Sequence, residues 1–435
     1  MEIKSNGKKM KYDALVIGGG IAGEETALNL AKIGYRVVIV EKDYSIGGHM
    51  VHLSKVFPTL DCSACISTPK MSETSRHSNI KVLTYSEVDS IKKRGQIFDV
   101  KVKKKPRYVN EDTCTGCQQC ENVCPVVVRD QYQYDLVGRK AVFIPFSIAL
   151  PKIAAIDIDN CILCGACERV CPADAIDFTQ VEEILDIEVK SVIVATGFNL
   201  FNADKLTRYG FGKFKNVIHS MQMERQLVPT RPFNSVLRPG DGKIPDNIAY
   251  VLCAGSRDRS LGNPICSQIC CMYSIKQAQL LMGALPMADV TLYYIDIRAY
   301  GKGFCEFYEQ TKNMGVDFIK GKIANIEEKE NGNLLLHFED VENGGKHKTA
   351  EHDMVVLSLG ITANNDVKNV FKDEDIQLDD YNYFKQTDSL VNPALTSIEG
   401  VFVAGTAAGP MDIPDTILSA GGASSEAASY IRSLK

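Results

Sequence analysis

The chain has 435 residues, 45% of them hydrophobic and 24% charged, with a net charge of −5 and dispersed basic residues. This composition fits a globular protein of two or three domains and excludes nucleic-acid binding as a first reading. No stretch of 18 apolar residues occurs, so no membrane span is expected. Met1 to Lys11 is polar and lysine-rich, without a signal-peptide pattern. Fifteen cysteines in such a chain point to a reducing cytoplasm and to metal ligation rather than disulfides.

The first element is a short apolar strand, Tyr12 to Ile17. It runs into Gly18-Gly19-Gly20-Ile21-Ala22-Gly23, and a helix follows that ends at Gly34. A second strand, Tyr35 to Val40, closes on Glu41 and Lys42. Together these make a dinucleotide-binding βαβ unit. Gly18 permits the tight turn, Gly20 lets a pyrophosphate approach the helix N-terminus, and Gly23 lets helix and strand pack closely. Glu41 stands where an acid accepts ribose hydroxyls. Gly47-Gly48 follows as a second glycine pair. Asp61-Cys-Ser-Ala-Cys65 holds a C-x2-C, which reads as a redox dithiol, a metal or cluster edge, or two buried thiols, with contact to the flavin region and no assigned chemistry as the favoured reading.

Ile80 to Val102 reads as two alternating strands, and Lys101 to Lys105 as a solvated strand edge. The pattern breaks at Pro106. Cys114, Cys117, Cys120 and Cys124, then Cys161, Cys164, Cys167 and Cys171, each read C-x2-C-x2-C-x3-C-P, the spacing that holds [4Fe–4S] clusters in two-cluster ferredoxins. The fourth cysteine of each run serves the other cluster in such proteins. One set is therefore Cys114, Cys117, Cys120 and Cys171; the other is Cys161, Cys164, Cys167 and Cys124. Gly116 and Gly165 are read as the tight turns between ligands.

Strand character returns over Ile184 to Val194 and ends in Ala195-Thr196-Gly197. Residues 201–246, rich in proline, read as a linker. Asn247 to Leu252 is a strand after which a nicotinamide-binding protein would show a second glycine motif. The sequence has Cys253-Ala-Gly-Ser256 instead. Cys266, Cys270 and Cys271 follow at the start of a helix read over Ser267 to Met282, so a third cluster is expected and nicotinamide binding is doubtful. Strands over Val290 to Ile297, Val316 to Ile326, Leu334 to Phe338 and Met354 to Gly360, with a helix at Phe304 to Asn313, complete a smaller domain. Cys305 reads as a small buried thiol. Gly400-Val-Phe-Val-Ala-Gly405-Thr406 leads past Ile413 into a last helix from about Pro414.

The segments ending at Gly197 and Thr406 resemble the second and third FAD contacts of the glutathione- and thioredoxin-reductase superfamily, which makes FAD the expected dinucleotide. That superfamily usually has Asp where Thr406 stands. The expected fold is thus a thioredoxin/glutathione-reductase-like α/β FAD domain with an inserted 2[4Fe–4S] ferredoxin module and a second, smaller α/β domain. The boundaries read as 1–105, 106–180, 181–246, 247–360 and 361–435.

Over nearly its whole length the chain resembles the A-type subunit of heterodisulfide reductase. The segments that carry this are Asp61 to Met71, Lys104 to Val109, Cys253 to Asp258, Ile265 to Lys276 and Gly400 to Thr406. The resemblance implies a cluster on Cys253, Cys266, Cys270 and Cys271, and Lys276 near the flavin N5. It further implies flavin-based electron bifurcation with B- and C-like subunits, a hydrogenase or formate dehydrogenase donor, and ferredoxin as acceptor, with self-association left open. The chain ends at Lys435 without the appended C-terminal ferredoxin of the longer methanogen form, so a short form is expected. Rival readings are an NAD(P)H-dependent disulfide reductase using Cys62 and Cys65, and a non-catalytic electron-relay scaffold.

Overall fold

The computed structural model describes residues 4–5 and 9–434, so the lead-in Met1–Lys11 lies partly outside the described residues. The chain forms two compact units, residues 1–51, 66–198 and 363–435 in the first and residues 52–65 and 199–362 in the second.

The first unit is built on a five-stranded parallel sheet in the order Val401–Val403, Ser191–Val194, Ala14–Ile17, Val37–Val40, Ile80–Leu83. The first four strands are buried at every position, as a sheet covered on both faces requires. Helices Ile21–Lys32 and Ile413–Ser433 lie together on one face. Ala27, Leu28 and Ala31 of the first meet Ala420, Ala423 and Ala427 of the second in one core. A separate antiparallel sheet carries Ser86–Arg94, Ile97–Lys104 and Glu183–Val189. Ile80 to Leu83, read with these alternating strands, instead pairs in parallel with Val37–Val40. Likewise Ile184 to Val194 is two strands in two sheets, broken at Lys190.

The cysteine-rich insert leaves from Ile97–Lys104 and returns through Glu183–Val189, and these two strands are antiparallel neighbours, with Lys104 opposite Glu183. It has its own core of Val109, Val142, Ile144, Ile153, Ile156 and Ile176, into which Cys120 and Cys167 are packed.

The second unit has a five-stranded parallel sheet in the order Val217–His219, Met354–Leu359, Asn247–Ala254, Asp289–Tyr294, Asp317–Lys320. A meander of Ile323–Glu328, Leu334–Asp340 and Lys346–His352 accompanies it. The expected linker over 201–246 is corrected here. It contributes a sheet strand and the helix Ser220–Leu227, closed at its start by a reciprocal cap between His219 and Gln222. Its prolines, Pro229, Pro232, Pro239 and Pro245, all follow the helix, and judging the whole stretch by them hid both elements. The unit accordingly begins at residue 199 rather than at the expected 247, and takes in 52–65.

Candidate functional site

The dinucleotide turn forms where three strand ends of the first unit come together. Gly20 precedes helix Ile21–Lys32 with no side chain capping it, so the first N–H groups of the helix remain available to an anion. A Cβ on Gly18 would stand 2.3 Å from the Ala195 carbonyl oxygen, and one on Gly23 would stand 1.9 Å from that of Gly18. A Cβ on Gly48 would come within 2.8 Å of Gly20 Cα, and one on Gly405 within 2.8 Å of Ala22. The four segments singled out in the sequence therefore converge on one cradle, which any side chain would fill. Gly197 follows in a left-handed turn. Thr196 is held by a reciprocal pair with Asn364, Oγ1 donating to its carbonyl at 3.0 Å and its amide donating back at 2.9 Å. Thr406 is buried in the turn Gly405–Ala407, and Ile413 opens the last helix, capped by Asp412.

Glu41 is buried beside the turn. Its Oε2 accepts from Gly19 N at 2.6 Å and its Oε1 from Asp43 N at 2.8 Å. Burial and the Asp43 charge raise its pKa to about 7 against these two hydrogen bonds. Lys42 is half exposed and pairs with Asp366 at 3.6 Å. Glu24, one residue past Gly23, is 1% exposed, and its Oε1 has no hydrogen-bond partner among the described residues. Burial pushes its carboxyl up to about 8, so it is largely protonated at neutral pH.

The insert packs directly on this site's loop. Ile46 and Leu150 are joined by Ile46 N–H to the Leu150 carbonyl at 3.1 Å, and Leu150 N–H donates to Ser45 Oγ at 2.8 Å. Tyr132, Phe146 and Leu150 cover Ile46, Val51 and Met71, and Met71 sulfur lies against the position of a Cβ on Gly47. Arg107, 2% exposed, donates to the Tyr44 carbonyl and to Thr84 Oγ1, both at 2.7 Å, and to Glu111 at 3.0 Å. This explains the Lys104 to Val109 motif, whose role the sequence alone did not reveal.

Within the insert, Cys114 and Cys117 are close enough to Cys120, and Cys161 and Cys164 to Cys167, to act on their charge. Burial pushes the Cys120 thiol up to about 11. The two halves repeat each other closely. Short helices Gln119–Val123 and Ala166–Val170 begin after left-handed Gln118 and Gly165, and the preceding left-handed position is Gly116 in one half and Leu163 in the other. Gly116 and Gly165, read as tight turns, both sit at positive φ, one between the first and second cysteines of its run and the other between the second and third. Gly116 is needed because a Cβ there would meet the Lys152 carbonyl at 2.6 Å. Backbone N–H groups of Leu163 and Ala175 donate to the sulfurs of Cys161 and Cys171 at 3.4 and 3.3 Å, the kind of bond that tunes cluster potential. Among the described residues no group of three or more His, Cys, Asp and Glu gathers on a point that would take a single metal ion. A cubane takes one thiolate per iron, so its ligands need not meet at one point.

In the second unit, strand Asn247–Ala254 slips register after Val251, and Cys253 sits there at φ 58°. This kink aims a thiol where a phosphate turn would begin. Cys253, Cys270 and Cys271 form a hydrogen-bonded chain of thiols. The hydrogen bond from Cys270 and the Arg257 charge draw Cys253 down to about 7 against burial. Cys266 is charge-coupled to Cys253 and Cys271 and accepts from Gln268 N at 3.3 Å. The turn is filled by its own side chains. Ser256 and Ser267 hydroxyls are 2.5 Å apart, and Asn263 donates to the Gly255 carbonyl at 2.7 Å.

Lys276 lies on helix Cys270–Ala284 and is 1% exposed. Its ammonium donates to Glu224 Oε1, which also accepts from Gln277 at 2.6 Å, while Glu224 Oε2 accepts from Ser54 N at 2.8 Å and Ser54 Oγ at 2.6 Å. Burial lowers the Lys276 pKa against the pull of Glu224. Burial alone would raise Glu224, but Lys276 beside it holds it below the usual carboxylate range. Sequence reasoning missed Glu224 because its helix lay in the presumed linker. The Gln222 cap partner three residues after His219 was the available signal. Cys305, expected buried, is exposed.

The fold and these residues define a thioredoxin-reductase-like flavoprotein with an inserted iron–sulfur module. Residues 12–116 match the pyridine nucleotide-disulphide oxidoreductase family and residues 110–175 the 4Fe-4S dicluster domain. Thioredoxin reductase of T. acidophilum superposes with a TM-score of 0.56 at 15% identity, covering 98% of this chain and all of that one. Bacillithiol disulfide reductase of Bacillus cereus gives 0.54 at 15%, with the same coverage. The second of the iron-sulfur A-type subunits of CoB–CoM heterodisulfide reductase in Methanopyrus kandleri is 44% identical over 96% of this chain and 64% of its own length. The A-type subunit of the H2/formate:CoB-CoM heterodisulfide,ferredoxin reductase of Methanococcus maripaludis is 44% identical over 95% of this chain and 63% of its own. Over nearly its whole length the chain is thus similar to heterodisulfide reductase A-type subunits. It spans a little under two thirds of the length of these curated relatives. Among the described residues no helix is long and apolar enough to cross a membrane.

Proposed function

We propose that this oxidoreductase is the FAD- and iron–sulfur-containing electron-transfer component of a heterodisulfide reductase-like complex. The observation that carries this reading is the packing of the insert on the dinucleotide loop through Ile46–Leu150 and Arg107, which fixes both modules in one body. When bound, FAD accepts electrons in pairs and releases them singly, and [4Fe–4S] clusters carry one at a time. The glycine cradle and the helix N-terminus at Ile21 hold the pyrophosphate, and Glu41 takes the ribose. The eight insert cysteines hold two clusters, in the crossed sets given above. Cys253, Cys266, Cys270 and Cys271 hold a third. By resemblance to the A-type subunits, the Lys276 ammonium, kept charged beside Glu224, stabilises an anionic reduced flavin and lowers its proton demand.

Partners in this proposal are B- and C-like subunits, a hydrogenase- or formate dehydrogenase-like donor and ferredoxin, with bifurcation as the mode of transfer. The test is anaerobic co-purification followed by redox titration. FAD, about twelve iron atoms per chain and crossed one-electron flavin potentials are expected. A chain that binds FAD but no iron overturns the proposal. Ordered one-electron potentials leave simple transfer in place of bifurcation.

A further inference from the structure

The mechanism above leaves one redox-capable pair unused. Cys62 and Cys65 form a disulfide, with Cα atoms 5.2 Å apart. Cys62 immediately precedes helix Ser63–Arg76 and is half-buried, and Cys65 lies exposed in its first turn. The loop before the pair is closed on itself. Val56 N–H donates to the Asp61 carbonyl and Leu60 N–H to the Val56 carbonyl, both at 2.9 Å, and Lys55 bridges to Cys62 across the loop. The pair is thus fixed at the surface by backbone bonds. Cys65 N–H donates to Cys62 Sγ at 3.3 Å, so a thiolate formed at Cys62 would meet a backbone donor and a helix N-terminus already aimed at it.

We infer that Cys62 and Cys65 are a two-electron dithiol–disulfide couple that exchanges with a second thiol-bearing molecule, an activity independent of the electron-transfer proposal. The thiolate of an incoming dithiol attacks exposed Cys65 Sγ. The Cys62–Cys65 bond breaks, and a mixed disulfide forms on Cys65. Cys62 leaves as the thiolate, held by Cys65 N–H, and takes up a proton. The donor's second thiolate then attacks its own sulfur in the mixed disulfide. Cys65 is released as a thiol, and the donor leaves as its disulfide. Two electrons and two protons pass from donor to pair, and the reverse sequence reduces a disulfide. A low pKa at the departing sulfur speeds such exchange.

The tryptic peptide Val56–Lys70 carries both sulfurs and no other cysteine, so the couple can be read in the full iron-loaded chain. After poising in dithiothreitol, alkylation and mass spectrometry should find both sulfurs labelled, and after oxidised dithiothreitol neither. Cys62→Ser should retain one glutathione on Cys65 when given oxidised glutathione. Cys65→Ser, left with the half-buried sulfur, should react on the order of tenfold more slowly. Labelling that ignores the poise overturns the inference. So does loss of iron in either variant, which would make the pair metal ligands. Equal rates in the two variants overturn the assignment of Cys65 as the point of attack.

Discussion

The two units solve the same local problem in opposite ways. Each has a buried parallel strand, a turn and a helix at the centre of its sheet. In the first, the turn is stripped of side chains, with Gly18 and Gly23 so close to neighbouring backbone that a Cβ on either would collide with it. Backbone N–H groups are then the working surface. In the second, Cys253, Ser256, Asn263 and Ser267 fill the corresponding space, and side-chain sulfur is the working surface. One turn offers backbone donors and the other offers thiols, the difference on which the proposed FAD and third-cluster sites rest.

That contrast can be broken experimentally. Cys270→Ser should remove about four iron atoms per chain and leave FAD absorbance intact, as iron assay and visible spectra will show; loss of both together would mean that the two turns are not independent. Lys276→Ala strands Glu224 as a buried charge and should cost about 3–5 kcal/mol in denaturant unfolding. Glu24→Gln sharpens the picture of the glycine turn. The wild-type carboxyl has a folded pKa of about 8, raised above its unfolded value, so wild-type stability falls as pH climbs from about 4.5 towards 8. The variant should differ by about 1 kcal/mol or less at pH 5 and be more stable by on the order of 4–5 kcal/mol at pH 8 and above, measured by unfolding at both pH values. Gly23→Ala should destabilise by about 1–3 kcal/mol through overpacking and weaken flavin retention while iron content holds. His219→Ala removes the helix cap and should cost about 1 kcal/mol, with His219→Asn restoring most of it.

Much of this was legible from spacing. Strand, glycine turn, helix and Glu41 fall in the expected order because each glycine is dictated by local backbone geometry, and the cysteine runs state their chemistry by interval. What could not be read were partners distant in sequence. Arg107 acts on Tyr44 and Thr84, and Glu224 on Ser54 and Lys276. No periodicity links such residues. The strand Val217–His219 was missed because three residues carry too little pattern to stand out from an irregular stretch, and Ile80–Leu83 was given to the wrong sheet because alternation does not say which sheet a strand will join. Cys305 was read from the habits of its residue type, which tertiary packing overrode.

The pairing of Lys104 with Glu183 also bears on how the protein is made. The antiparallel sheet cannot zip until the long excursion between these residues has drawn its ends together, and an unstructured excursion pays that closure in chain entropy. Under the crossed ligation proposed above, iron binding would tie the excursion's two cysteine runs together and shorten the effective loop. With the clusters of the proposed function in place, metal supply during synthesis would set how readily the surrounding sheet closes.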